Sequence, residues 1–275
     1  MAYKYITRED FSSLDQLLRE LGKRKNNKFM RNKFGSKEGD EGFTGTKSWE
    51  EAIDLLANGY TDILSQMKSD VKAKSKITSN SMATVNHPIP RTAIVGYSPC
   101  VPNAILGLPN SMITVERVPM KRKTLSILYQ MGACANEEPS FFEEAGAALL
   151  SAINLIEMAG IQTQLKLCFF PAQKNDELLF PTVVIKNYGE RFSLQKVSFP
   201  LAHTSMFRRI GFKWLETSPD VKTDFSIGYG RPTPESSEEL SGILSLDKNT
   251  KLINIRDIHR VKCSVEEILK LLGVM

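Results

Sequence analysis

The polar residues best suited to chemistry lie in the second half of the chain. His203 is followed by the adjacent pair Arg208 and Arg209. Two neighbouring guanidinium groups can bind a phosphate or a carboxylate through paired hydrogen bonds. The alternative is an internal network, in which one arginine pairs with Glu190 or Glu216 and His203 fixes a loop. A nuclease or phosphatase would also need acids or histidines clustered near these arginines, and the sequence offers no such cluster.

A second group of candidates comes from a Gly-, Pro- and Ser-rich stretch, residues 226–242, which predicts a surface loop. Tyr229 and Arg231 could present their side chains to a partner from this loop, although a purely structural turn is the simpler explanation. The predicted partner-binding residues are Arg191, His203, Arg208, Arg209, Tyr229 and Arg231.

Positive charge is concentrated in residues 23–37, which contain seven cations and no acid. Phe29, Met30 and Phe34 are interleaved with the charges. Such a segment can follow a phosphate backbone while its aromatic rings stack on bases. The alternative is a solvated linker, because strings of like charge resist compaction. The candidate nucleic-acid-binding residues are Lys23, Arg24, Lys25, Lys28, Arg31 and Lys33.

Sequence motifs for catalysis and cofactor binding are absent. The chain contains no GxSxG, HExxH, GxxxxGK[ST] or GxGxxG motif. The four cysteines are far apart and form no CxxC pair, and with only three histidines we expect no structural zinc site. Cys134 and Cys168 lie in apolar contexts and are predicted to be buried. The sequence therefore predicts a non-enzymatic protein with no cofactor, no metal and no catalytic residue.

Composition limits the class of protein. The chain has 275 residues, of which 41% are hydrophobic and 24% charged, with a formal net charge of +5. These values are typical of a folded protein and exclude a disulfide-dense or collagen-like chain. No apolar run approaches the length of a membrane span, and the N-terminus is too polar for a secretory signal. We therefore expect a cytoplasmic protein that does not enter the membrane.

The first 80 residues are predicted to be a basic helical extension. A capping pattern at Thr7 and Asp10, followed by leucines at helical spacing, predicts a helix over residues 8–22. Ser48 predicts the start of another helix, which ends at Gly59. A further helix is expected over residues 61–72. The proline-rich segment 86–120 predicts short strands joined by turns, with an edge strand over 111–118.

From Lys123 onward, apolar strands alternate with helices. This alternation predicts βαβ crossovers and a mostly parallel sheet flanked by helices, as in Rossmann-like sandwiches. We expect an α/β core over residues 81–275. Its predicted strands cover 123–134, 163–172, 179–189 and 251–258, and its predicted helices cover 139–160 and 264–273.

The succession of strand 123–130, helix 139–159, Gly160 and strand 163–170 resembles the opening of a von Willebrand factor A-type domain. Segments 43–60, 101–113 and 185–216 resemble a group of phage-encoded proteins of uncharacterised function with such a core. A-type domains usually hold a metal through Asp-x-Ser-x-Ser after their first strand. Here Gln130-Met-Gly-Ala-Cys134 stands at that place, so the resemblance implies a variant without the metal site.

The resemblance implies an interaction module that works in the cytoplasm of an infected host cell. We expect it to bind a protein partner from the host or the virus, with self-assembly into homo-oligomers as a further mode. The alternative function is nucleic-acid binding through the basic segment, which would weaken steeply with salt. A hydrolase remains a third hypothesis and would require acids distant in sequence to meet in one pocket.

Overall fold

Two units make up the chain in the computed structural model, which describes residues 3, 5–27, 39–63, 90–115, 123–174, 177–221 and 234–275. The larger, here the α/β unit, contains Met1–Met82 and Thr124–Met275, and the smaller, here the small unit, contains Ala83–Lys123. The sequence predicted a domain boundary near residue 80, with residues 81–123 in the same domain as the α/β core. The structure instead groups the N-terminal segment with the α/β core and separates the small unit.

A six-stranded sheet organises the α/β unit. Its order is β1-β8-β6-β5-β9, and β7 pairs with β8 outside this path. The pairings β1–β8, β5–β6 and β5–β9 are parallel, which confirms a mostly parallel sheet flanked by helices. The strands are β1 Tyr5–Phe11, β5 Thr124–Gln130, β6 Gln162–Cys168, β7 Ala172–Lys174, β8 Glu177–Lys186 and β9 Thr250–Asn254.

The first strand replaces the start of a predicted helix. Residues Tyr5–Phe11 pair along β8, whereas the sequence placed a helix from residue 8 with its cap at Thr7. The helix begins later, at Leu14, because the Ser13 hydroxyl caps it by accepting a hydrogen bond from the Gln16 backbone N–H at 3.2 Å. The N-terminal segment therefore contributes an edge strand to the sheet and is not a purely helical extension.

The sheet reverses direction once at its centre. Strand β8 runs antiparallel to β6. Only residues 169–176 separate these two strands, and a parallel connection needs a crossover of about a dozen residues or more. The chain therefore returns antiparallel here, and this pair is the exception in a sheet that is otherwise mostly parallel, as predicted.

Helices cover the sheet of the α/β unit. The longest, α5, buries twelve of its residues and has Gly146 against Ala202 of α6. A side chain at Gly146 would overlap the Ala202 backbone, so this glycine permits the close approach of the two helices. The helices are α1 Leu14–Lys23, α2 Glu41–Thr44, α3 Trp49–Asn58, α5 Pro139–Met158, α6 Leu194–Ala202, α7 Phe212–Thr217, α8 Ser237–Ile243, α9 Ile255–Arg260 and α10 Val265–Leu271.

Two sequence predictions about helices have different outcomes. The start of α3 is confirmed, because the Ser48 hydroxyl accepts a hydrogen bond from the Glu51 amide at 3.1 Å. The helix expected over 61–72 lies mostly outside the described residues.

Cys168 is buried as predicted, whereas Cys134 is exposed on the loop after β5. In the part of the chain that is described, no helix is long and apolar enough to cross a membrane.

Within the described residues 90–115, the small unit contains a three-stranded antiparallel sheet and one short helix. Its strand order is β2-β4-β3. None of residues 90–114 is buried. Sheets of this size usually depend on a covered apolar face for stability. The elements are β2 Pro90–Ala93, β3 Ser98–Pro99, α4 Val101–Ile105 and β4 Met112–Val115.

Candidate functional site

The predicted arginine pair lies inside the α/β unit. A single π-helical segment, Met206–Gly211, carries both residues. Arg208 is 1% exposed and Arg209 is 0% exposed. π-Helical turns widen a helix locally and redirect its side chains. Here both guanidinium groups contact residues 39–46, and Arg208 also contacts residues 134–137.

Arg208 connects helix α2 to the loop after β5. It donates to the Phe43 carbonyl at 2.7 Å and to the Glu137 carbonyl at 2.6 Å. A third bond reaches the Cys134 carbonyl at 3.1 Å. The guanidinium lies 4.2 Å from the Phe43 ring centroid and 5.1 Å from that of Phe142. Burial lowers the pKa of Arg208 to about 10, and the side chain stays cationic near neutral pH.

Arg209 holds the segment that contains α2. Its Nε donates to the Thr46 hydroxyl at 2.6 Å. A terminal nitrogen donates to the Thr46 carbonyl at 2.6 Å, to the Thr44 hydroxyl at 3.0 Å and to the Gly39 carbonyl at 3.1 Å. Burial lowers the pKa of Arg209. Together the two arginines fasten residues 39–46 to the core, directly after the basic segment in the chain.

His203 is a neutral packing residue in the same region. Its Nδ1 accepts a hydrogen bond from the Ser205 amide at 3.1 Å. The ring stacks on Phe199 at 4.9 Å and meets the edge of Tyr60 at 4.8 Å. Burial lowers the pKa of His203 from 6.5 to about 4. The imidazole is therefore uncharged at neutral pH and fixes a turn.

The buried His203 makes stability depend on pH. Between about pH 6.5 and 4 the unfolded chain binds a proton at this residue that the folded chain does not bind, so stability falls as pH falls. From pH 7 to 4.5 we expect this residue to remove about 2–3 kcal/mol from the free energy of unfolding. Urea denaturation of wild type and His203→Asn at both pH values measures the difference. Equal losses in both proteins would contradict this prediction.

The other predicted site residues are spread over the chain. Arg191 is exposed, and its neighbour Glu190 forms an ion pair with Lys196 at 3.8 Å. Lys23 and Lys25 are exposed, whereas Arg24 binds Glu20 at 2.8 Å and also Glu9. Tyr229, Arg231, Lys28, Arg31 and Lys33 lie outside the described residues.

The small unit carries an exposed apolar surface that sequence analysis assigned to short strands and turns. Seven large apolar side chains within residues 94–108 are between 46% and 79% exposed. Among the described residues of the much longer α/β unit, six such side chains are exposed, and they are scattered along the sequence. Large exposed apolar patches mark interaction sites. The apolar surface consists of Ile94, Val95, Tyr97, Val101, Ile105, Leu106 and Leu108.

Backbone contacts fix the shape of this apolar surface. The Tyr97 amide donates to the Ile113 carbonyl at 3.0 Å, and the Cys100 amide donates to the Ser111 carbonyl at 2.7 Å. A side chain at Gly96 would collide with the Ile113 backbone. Gly107 has a φ of +65°, which favours glycine after α4. The apolar side chains thus extend from the short helix α4 and from the hydrogen-bonded loops beside it, in which Gly96 and Gly107 are required by geometry.

Charge distinguishes the small unit as well. Residues 83–123 include five basic residues and one acidic residue. A basic unit attracts acidic surfaces and accelerates association with them. A partner that matches this unit would combine an apolar surface with acidic side chains.

One cluster in the α/β unit could hold a metal ion. Donor atoms of Glu144, His259 and Cys263 all lie within 4.8 Å of one another. The sequence predicted no zinc site because the cysteines are far apart and form no CxxC pair, and this group contains only one cysteine. The spacing of His259 and Cys263, four residues apart, was the available signal, whereas Glu144 comes from a distant helix.

Comparison with known proteins places the whole chain in one family. No curated protein and no solved structure gave a significant match. The model of a protein family described as "Domain of unknown function (DUF7192)" matches residues 3–275. Because that match covers nearly the full sequence, the chain belongs to this family of uncharacterised domains.

Proposed function

We propose that the chain is a non-enzymatic interaction protein that binds another protein through the apolar surface of its small unit. The observation that carries this proposal is the exposure of seven large apolar side chains within residues 94–108. Leaving them in water is unfavourable, by roughly 25 cal/mol for each Å² of apolar surface. A partner that covers them recovers this free energy.

The partner in this proposal is a protein with an apolar groove bordered by acidic side chains. Five basic residues against one acidic residue in 83–123 support the acidic border. The same charge opposes direct pairing of two small units, so a second copy of the chain fits less well. Tyr97 is the one aromatic residue among the seven exposed side chains, and so few rings provide little stacking surface for nucleic-acid bases.

The proposal also includes a von Willebrand factor A-like core, a phage origin and a role in the host cytoplasm. A von Willebrand factor A-like core is supported by the unit β5-α5-β6, in which two parallel strands flank one helix. The loop after β5 has no carboxylate or hydroxyl between Gln130 and Cys134, as expected for a variant without the A-domain metal site. A phage origin and a role in the host cytoplasm rest on the resemblance of segments 43–60, 101–113 and 185–216.

Capture from an extract of the native source, washed across a salt series, tests this function. The matched baits are wild type, Ile105→Gln/Leu106→Gln in the apolar surface, and Met158→Gln, which alters an exposed residue of the α/β unit. We expect one stoichiometric protein on wild type and Met158→Gln that survives high salt and is lost from the double variant. Equal capture by all three baits would contradict the proposal.

Nucleic-acid binding through residues 23–37 is the alternative function. The exposed side chains of Lys23 and Lys25 favour it, while Arg24 is engaged by Glu9 and Glu20. The capture experiment separates the two functions, because binding to phosphates is lost between about 50 and 200 mM salt. Nucleic acid that elutes in this range from all three baits would replace protein binding as the assigned function.

A further inference from the structure

We propose that Glu144, His259 and Cys263 form a zinc-binding site in the α/β unit. The three residues come from two places in the fold. Glu144 lies in the second turn of α5, whereas His259 and Cys263 lie at and just beyond the end of α9. Their donor atoms are all within 4.8 Å of one another. The site is independent of the apolar surface and of the function proposed for it.

The histidine is oriented as metal ligands are. Its Nε2 lies 2.7 Å from the Phe141 carbonyl oxygen, and because only a ring N–H can bond that oxygen, Nε2 carries the proton. The other ring nitrogen, Nδ1, faces the Cys263 sulfur at 3.8 Å. Metal-binding histidines usually donate their second ring N–H to a carbonyl or carboxylate in this way. The ring also stacks on Phe141, with centroids 3.7 Å apart, which limits its rotation.

The backbone places the cysteine beside this histidine. Lys262 and Cys263 have φ values of +53° and +52°, a left-handed conformation that non-glycine residues seldom adopt twice in succession. The Cys263 amide donates to the Ile258 carbonyl at 2.9 Å. The chain therefore turns back over the last turn of α9 and brings the sulfur to Nδ1.

The donor types select zinc over harder cations. A thiolate and an imidazole suit Zn²⁺, whereas Mg²⁺ and Ca²⁺ prefer oxygen ligands alone. In a tetrahedral zinc site the sulfur and nitrogen ligands are about 3.6 Å apart, close to the 3.8 Å between Cys263 and His259. Glu144 is exposed and can rotate toward the ion. Three protein ligands leave a fourth position for water or a partner's side chain.

Titration of the full-length, reduced chain with Co²⁺ and then Zn²⁺ tests the site. We expect one equivalent of Co²⁺ to produce a thiolate-to-cobalt charge-transfer band, which Zn²⁺ abolishes by displacement. Cys263→Ser removes the band, and Cys134→Ser, at an exposed cysteine, retains it. No band in the folded wild-type chain, or an equal band in Cys263→Ser, would overturn the proposal.

Glu144→Gln tests the third ligand. Because Glu144 is exposed, we expect the variant to fold as the wild type does. We expect it to keep the charge-transfer band and to weaken zinc binding by about tenfold or more, measured by competition with a chromophoric chelator. An unchanged affinity would refute the assignment of Glu144 as a ligand. These measurements use no binding partner, so their failure leaves the proposed interaction function intact.

Discussion

Replacing Ile105 and Leu106 together by glutamine is expected to weaken binding to the partner protein by about 30-fold or more. The two side chains are adjacent in the apolar surface and are 79% and 71% exposed in the free chain. Central apolar anchors of an interface commonly contribute about 2 kcal/mol or more when truncated, which corresponds to about 30-fold in Kd. Isothermal titration of the captured partner with each variant measures this loss.

Stability provides the control for this variant. Because Ile105 and Leu106 are exposed, their replacement is expected to change the free energy of unfolding by less than about 0.5 kcal/mol. Met158→Gln, at a residue of the α/β unit that is 64% exposed, is expected to leave both affinity and stability unchanged. A double variant that binds as tightly as wild type would remove the apolar surface from the interface.

Replacing Arg209 by alanine is expected to destabilise the α/β unit by about 3–5 kcal/mol. The substitution removes four hydrogen bonds that this guanidinium donates to Gly39, Thr44 and Thr46. A hydrogen bond from a charged group contributes about 1.5–3 kcal/mol, Thr44 and Thr46 keep other partners, and the cavity left by the buried side chain adds to the cost. Chemical denaturation of wild type and variant at pH 7 measures the difference.

Arg191→Ala is the matched control, because Arg191 is exposed. We expect it to change stability by less than about 0.5 kcal/mol. If Arg209→Ala were as stable as wild type and instead lost partner binding, the guanidinium would belong to an accessible anion-binding cleft and not to an internal network. Loss of stability with binding retained by the folded fraction supports the internal network.

Local sequence patterns predicted much of the α/β core. The apolar stripe of α5 and the glycine that follows it gave the correct helix, since Gly160 adopts a φ of +83° that ends helices. Thr7 and Asp10 matched a helix cap, but the same residue types also occur in an edge strand, which is where the structure has them. Pairing with β8 decided between these structures, and that pairing involves residues more than 160 positions away.

The candidate sites depended on tertiary structure. Arginine is rarely buried without a partner, and the sequence left two possibilities for Arg208 and Arg209, an anion-binding cleft or an internal network with Glu190 or Glu216. Their burial results from carbonyl groups that converge from residues 39–46 and 134–137. Conversely, the apolar residues of 94–108 suggested ordinary strands, because hydrophobicity in a sequence does not tell which side chains the fold covers.

Side-chain footprinting of the chain, free and in complex with its captured partner, tests the central proposal most directly. In the free chain, a photoactivated carbene should label residues 94–108 heavily, since seven large apolar side chains are exposed there. We predict strong protection of these residues in the complex, with unchanged labelling of the exposed Met158. Unchanged labelling of residues 94–108, with protection elsewhere in the chain, would contradict the account.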